Sequence, residues 1–329
     1  MKLSALCLLG ALAAGIIPAR AQKISETEVS RLISTLAADS MQGRMTFTPG
    51  IEKASLFIEE EFRKAGLESL PRQKNFRQEF AMLDGKLFPR DSSVSTASTS
   101  APKFLHNVAG MIKGSSKPDE YVIFSAHYDH IGIQKPVGED SIANGADDDA
   151  SGVTAVILLA DYFKEHAPER SVIFVAFTAE EIGGFGSRYF SRQLDPAKIV
   201  AMFNIEMIGK ESKFGRNSAF ITGFERSDFG KILQENLKGS SFQFHPDPYP
   251  EQRLFYRSDN ATLARLGVPA HTISTTQIDK DTLYHSVNDE VESMDMKNIA
   301  DIIEAIAISS GSIVGGKDAP TRIAEEKKQ

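Results

Sequence analysis

Two stretches of this 329-residue chain, Tyr121–Ala126 (YVIFSA) and Val172–Phe177 (VIFVAF), run almost without a polar break. A strand that is apolar on both faces is stable only where both faces are covered, as they are inside a parallel or mixed sheet with helices above and below it. Apolar runs at Val108–Ile112, Ile199–Ile205, Ala219–Ile221 and Val268–Ile273 read as further strands. Helical periodicity follows over Ser151–His166, Glu180–Gln193, Ser227–Leu237, Asp259–Leu266 and Met296–Ser310. This alternation predicts an α/β fold, a three-layer sandwich around a mixed, largely parallel central sheet. Ahead of it, Ser25–Asp39 places Val29, Leu32, Ile33 and Leu36 at helical spacing behind a capping box of Ser25 and Glu28. Gly50–Ala65 forms a second amphipathic helix that Gly66 closes. The Ser- and Thr-rich stretch 91–103 reads as a polar loop, and the tail beyond residue 315 as polar and frayed.

Sites in such sheets lie beyond the carboxyl ends of the strands, and here those ends carry acids and imidazoles. Tyr121–Ala126 leads into His127-Tyr128-Asp129-His130, and a later helix entrance reads Asp147-Asp148-Asp149. Val172–Phe177 leads into Glu180-Glu181, Ile199–Ile205 into Glu206, and Tyr284-His285 stands in a late loop. A helix N-terminus accommodates one capping aspartate and tolerates a second, but not three. A divalent cation offsets the repulsion, so Asp147, Asp148, Asp149, Glu180, Glu181 and Glu206 are expected to face metal. Two metals sharing a carboxylate need five or six ligand groups. His127, Asp148, Glu181, Glu206 and His285 make five, leaving Glu180 free as a general base. Taken singly, each has a plain structural alternative: a core histidine, a capping turn, a helix start. Their joint placement favours metal.

Composition narrows the chemistry. Asp and Glu outnumber Lys and Arg by 44 to 37, a net charge of −7 that lacks the basic footprint of a nucleic-acid binder. The one Cys rules out an internal disulfide and a thiolate zinc site. It falls in residues 1–21, where Lys2, an apolar run from Leu3 to Ile17 and Ala19-Arg20-Ala21 have the form of a cleaved signal. The expected product starts near Gln22, is exported to the periplasm or beyond, and keeps no membrane span; a membrane anchor is the alternative. The expected organisation is a signal over 1–21, one domain over 22–315 (helical lead-in and loop to 103, catalytic core from 104) and a tail over 316–329.

The segments SAHYDHIG, NGADDDASG, AFTAEEIGGFGS, FNIEMIG and YHS resemble, in order, those of the co-catalytic di-zinc aminopeptidases. That family includes secreted bacterial leucyl aminopeptidases, with glutamate carboxypeptidase II and glutaminyl cyclase as relatives. The resemblance implies two Zn²⁺ ions bridged by Asp148, the first also bound by His127 and Glu206, the second by Glu181 and His285. It implies Glu180 as the base acting on a metal-bridging water, and Asp129 as the partner that fixes the His127 tautomer. It implies peptide substrates with a free amino terminus. Tyr284 is a candidate oxyanion donor. Asp259, in an RSDN segment where the family often has RSDH, is a candidate substrate-orienting group or a helix cap. Asn260 replaces the family's His and opens a glycosylation sequon. The aromatic, Pro-stiffened stretch 239–256 is a candidate pocket lid or ordinary packing. A glutaminyl cyclase-type acyltransferase with one zinc, and a non-catalytic peptide-binding relative, are the alternatives.

Overall fold

The computed structural model describes residues 23–71, 73–90 and 101–324. The expected signal, residues 91–100 of the polar loop and the last five residues lie outside the described residues. Seven helices, α1 (Glu26–Leu36), α2 (Pro49–Lys64), α3 (Gly152–Glu165), α4 (Phe185–Phe190), α5 (Phe229–Asn236), α6 (Asn260–Ala264) and α7 (Met296–Val314), accompany twelve strands among the described residues. The strands are β1 (Glu68–Ser69), β2 (Arg77–Leu83), β3 (Lys86–Pro89), β4 (Lys103–Ile112), β5 (Lys117–His127), β6 (Gly132–Val137), β7 (Asp140–Ala143), β8 (Arg170–Phe177), β9 (Ile199–Ile205), β10 (Ser218–Ile221), β11 (Gln243–Pro246) and β12 (Ala270–Ser274).

Ten strands form one mixed sheet in the order β11-β10-β12-β9-β5-β8-β4-β2-β3, with β1 on β4; β6 and β7 form a separate hairpin. The centre, β12-β9-β5-β8, is parallel, and the β4-β2-β3 flank is antiparallel. Every residue of β8 is buried, as its unbroken apolar run requires. Val122, Phe124 and Ala126 of β5 enter the core shared with α1, α2, α3, α5 and α7, whereas Ile123 enters a second core with residues of α4 and α6. Sheet between two helical layers is the expected sandwich. Phe124 anchors it, its ring 4.8–5.7 Å from those of Phe163, Phe174 and Phe203; burying such a side chain contributes roughly 1.5–3 kcal/mol. At α1, Ser25 Oγ accepts the Glu28 N–H, the expected cap.

Three differences from expectation have local causes. β2 and β3 lie in the stretch expected to hold only helices and loop; RQEFAML contains good helix formers, and only pairing with β4 makes it a strand. The helix expected from Glu180 starts at Phe185, because Ala179, Gly183 and Gly184 all have positive φ. The tail is docked as far as residue 324: Ile323 is buried and donates its N–H to Gly267 O, and Arg322 donates to Ile199 O. Among the described residues no helix is long and apolar enough to cross a membrane.

Candidate metal centre

Because β5, β8, β9 and β12 run parallel, their carboxyl ends share one rim. His127 closes β5, Glu180 and Glu181 stand on the turn after β8, and Glu206 directly follows β9. Asp148 reaches the rim from an irregular segment before α3, and His285 from the loop after β12.

Asp148 is the hub. Its Oδ1 lies 3.1 Å from His127 Nε2, and its Oδ2 lies 3.2 Å from His285 Nε2. His285 Nε2 is also 3.0 Å from Glu181 Oε2. His130, to which the sequence assigned no role, is here too: its Nδ1 is 2.9 Å from Glu181 Oε1 and 3.6 Å from Asp148 Oδ2. Donor atoms of His130, Asp148, Glu181 and His285 all lie within 4.8 Å of one another. Zinc holds nitrogen and oxygen donors at about 2.0–2.1 Å, so neighbouring donors of a tetrahedral site stand about 3.3 Å apart. The observed separations fit that spacing. Glu206 is not among these four donors; burial raises its carboxyl, with His127 and a hydrogen bond from Ser258 opposing and Asp148 adding to the rise.

The electrostatics agree with a cation site. Against burial, hydrogen bonding to Asp148 and the fields of Asp149 and Glu180 hold His127 well above the usual imidazole range. Hydrogen bonds to Asp148 and Glu181 push His285 up to about 10. Burial opposes it, but His130, His127 and His285 hold Asp148 well below the usual carboxylate range. A field that draws protons onto His127 and His285 is offered equally to a divalent cation, whose binding would release those protons.

The three aspartates have three fates, which corrects the expectation that all face metal. Asp147 Oδ1 accepts the Gly209 N–H at 2.8 Å, and Lys210 Nζ stands 3.3 Å from Oδ2. Asp149 accepts from Gly152, Met207 and His127 N–H groups and so ties α3 to the ends of β5 and β9. Only Asp148 turns to the imidazoles. Asp129 needs a smaller correction. His127 Nδ1 donates to the Asp129 carbonyl at 3.1 Å, and the carboxylate is 3.9 Å away. That carboxylate instead accepts the N–H groups of Glu180 and Glu181 and the Thr46 hydroxyl. It positions the glutamate pair, while its main chain orients the imidazole.

Two supports carried no recognisable sequence signal. Arg44 is fully buried and donates to five main-chain carbonyls: Tyr128, Leu36, Asn144, Gly145 and Asp148. Asp289, also buried, accepts the N–H groups of Asp147 and Asp148 at 3.0–3.2 Å. Together they grip the Asp148 segment from both sides.

Around the donors, Tyr284 stacks on His285, ring centroids 3.9 Å apart. Asp259 stands at the start of α6 but makes no capping hydrogen bond; burial pushes its carboxyl up to about 7, with Glu206 and Asp129 adding to the rise and His127 opposing it. Asn260 is an internal brace, donating to Phe255 O and Ala270 O and accepting from Thr272. It is wholly buried, so the sequon is inaccessible in the fold. The 239–256 stretch is mostly packing. Phe242 and Phe244 sit in the main core and Phe255 in the second, while Leu254 joins Phe220, Thr222 and Ile278 in lining an open cavity of about 560 Å³ beside Glu180, Glu181 and His285.

A probable zinc metalloprotease of Pyrenophora teres f. teres is 34% identical to this chain over 110 residues, 33% of this chain and 23% of that protein. The chain thus spans about a quarter of the length of that curated relative. In fold, it resembles a zinc aminopeptidase from Bacillus subtilis (TM-score 0.66, 14% identity, 93% of this chain and 99% of that one). It also resembles a glutaminyl cyclase from Bacteroides thetaiotaomicron (TM-score 0.65, 15% identity, 88% and 98%). Residues 107–309, which contain every donor of the rim, match the profile of peptidase family M28, and the chain belongs to that family.

Proposed function

We propose that this chain is a zinc-dependent aminopeptidase that removes the amino-terminal residue from a peptide with a free amino terminus. The observation that carries this reading is the Asp148 carboxylate, with Oδ1 toward His127 and Oδ2 toward His285. One carboxylate serving two donor sets supports two zinc ions, one with His127 and Glu206, the other with Glu181 and His285. Zinc, when bound, supplies Lewis acidity and makes water acidic enough to act as a nucleophile near neutral pH.

The protein's own part centres on Glu180. Its carboxyl lines two adjoining cavities, and Asp129 fixes its N–H. Burial holds it well above the usual carboxylate range, opposed by His127 and reinforced by Glu206 and Asp259. A carboxyl raised in this way holds a proton more readily than a free carboxylate, which suits a group that takes the proton of the attacking water and returns it to the leaving amine. Tyr284, which lines the same cavity as Glu180, is assigned as a hydrogen-bond donor to charge developing on the scissile carbonyl oxygen, and Asp259, which lines the second cavity with Glu180, as a group that orients its surroundings. The acidic rim favours a substrate's ammonium end, which supports an exopeptidase. Residues 1–21 are assigned as an export signal, so amino-terminal sequencing of the exported protein should begin near Gln22.

The test is Glu180→Gln on aminoacyl anilides. Turnover should fall by about 10²–10⁴-fold with zinc content unchanged; near wild-type turnover with zinc bound overturns the base assignment. Plasma emission should find two zinc ions per chain, and fewer than about 1.5 overturns the bridged pair. The fold's likeness to a glutaminyl cyclase makes a Gln-initiated peptide the decisive substrate: release of ammonia rather than of the residue would replace hydrolysis by cyclisation.

A further inference from the structure

We infer that His130 is a fourth protein ligand of the second metal, through Nδ1, and that the two metal positions are therefore unequal. This rests on the zinc reading above and concerns a residue outside the five-ligand set. His130 lies just past β5 with its side chain wholly buried, and its Nδ1 faces Glu181 Oε1 at 2.9 Å and Asp148 Oδ2 at 3.6 Å. His285 Nε2 faces the same two carboxylates at 3.0 and 3.2 Å. The four donor groups therefore alternate imidazole and carboxylate around one point, at the spacing of a tetrahedral zinc site. The Glu181 carboxylate, together with a share of the Asp148 carboxylate, offsets much of a dication's charge, which lowers the cost of burying it.

The backbone is built to hold that ring in place. His130 N–H donates to Arg44 O, and His130 forms an isolated bridge with Met45. On the other side Gly145 has φ +59, and a Cβ there would stand 2.6 Å from the His130 ring and 2.2 Å from the Asp148 carbonyl. A glycine at that place lets the imidazole lie directly against the segment that carries Asp148.

With His130, the second position would have four protein donors, against the three proposed for the first, His127, Glu206 and the other oxygen of Asp148. Closed four-donor sites are the tight, structural kind, and three-donor sites are the open, reactive kind. The second position should fill first and hold its zinc more firmly.

The discriminating variant is His130→Asn. The Asn Nδ2 can occupy the place of Nδ1 and keep a hydrogen bond to Glu181, but the amide cannot ligate zinc as imidazole does. The chelator-stripped full chain is titrated with zinc against a chromophoric competitor, for wild type, His130→Asn and His130→Ala. Wild type should show two unequal steps. Both variants should weaken the tighter step by at least about 100-fold, beyond the usual effect of losing a group that only orients a ligand, and leave the weaker step in place. One equivalent of Co²⁺ should give wild type the intense visible absorption of a tetrahedral site, and this should collapse in His130→Asn. If His130→Asn keeps wild-type affinity and spectrum while His130→Ala does not, His130 is a hydrogen-bonding support and the inference fails alone. If wild type itself takes up no zinc, the inference fails together with the reading beneath it.

Discussion

The rim is supplied by two kinds of backbone. His127, Glu180, Glu181 and Glu206 stand at or just past the ends of β5, β8 and β9, whose register is locked by neighbours on both sides. Asp148 and His285 stand on segments with no ladder at all: Asp148 at φ −102°, ψ 97° inside an irregular turn, and His285 at φ 55°. The strand-borne donors are positioned by the same apolar packing that makes the sheet. For Asp148, the loop-borne hub, the task falls to two buried charged side chains, Arg44 and Asp289. Apolar support is spread over many contacts and fails gradually. Polar support is concentrated, because each buried carbonyl or N–H that loses its partner costs about 1–3 kcal/mol.

The largest effect should therefore come from Arg44, although it touches no substrate. Arg44→Met leaves five buried carbonyls without their donor. We expect a loss of about 3–5 kcal/mol, as for breaking a buried charged network, and a fall in Tm of roughly 10 °C. Zinc affinity should drop with it, because the Asp148 carbonyl and the Gly145 turn lose their anchor. Arg44→Lys keeps the charge but not the fork and should fall between. On the strand side, Ile173→Val in β8 should cost about 1 kcal/mol and leave zinc affinity unchanged. Calorimetry and competitive zinc titration on these variants check the contrast; an Arg44→Met protein with wild-type zinc affinity would break it.

Asp289→Asn is the milder probe of the same support. The carboxylate accepts N–H groups from both Asp147 and Asp148, and an amide can turn only one oxygen to them. We expect a loss of about 1–2 kcal/mol and a 10- to 100-fold weaker zinc affinity, the usual consequence of disturbing a group that holds a ligand. The residue does not face the cavity, so zinc-saturated turnover should recover. A turnover defect that excess zinc does not repair would show that Asp289 acts on the chemistry and not on the loop.

The same division decides what the sequence made legible. The parallel centre could be read because continuous apolar runs have few places to go, and the donors at strand ends followed from it. Asp148 was legible as the middle of an improbable triplet. The supports were not. Arg44 ends a short 3-10 segment between α1 and α2, with no periodicity, and its partners are main-chain carbonyls up to 104 residues away, which leave no trace in side-chain pattern. His130 sat in plain view three residues beyond His127, but a second imidazole after a strand has no spacing rule to assign it. The frayed-tail reading missed the opposite case, one buried Ile323 inside a polar stretch.

The smallest expected effect is on pH dependence, and its sign differs from group to group. Burial raises Asp259 and Asp289 to about 7. An acid whose folded pKa lies above its unfolded value of about 3.9 makes the folded state bind more protons, so stability falls as pH rises from about 4 to 7. Hydrogen bonds to Asp148 and Glu181 raise His285 to about 10. Its contribution is complete below the unfolded imidazole pKa of about 6.5 and is lost as pH rises toward 10. Asp148 is held low and has the reverse sign, its contribution disappearing only as pH falls below about 4. The chelator-stripped protein should therefore have its highest Tm near pH 5 and lose stability steadily to pH 10. Zinc needs these imidazoles deprotonated, so its affinity rises with pH, and the gap in Tm between loaded and stripped protein should widen from pH 6 to 9. His285→Asn should make the stripped curve less steep above pH 7, leaving the part that belongs to His127, and leave the segment below 7 alone, because the lower segment belongs to the buried acids. The Val172–Phe177 run of β8, which holds no titratable side chain, should contribute nothing to either segment. A stripped protein that gains stability between pH 6 and 9 would mean that its imidazoles are not held protonated by Asp148 and Glu181, and the loop-borne half of the rim would lose its claim to be a cation site.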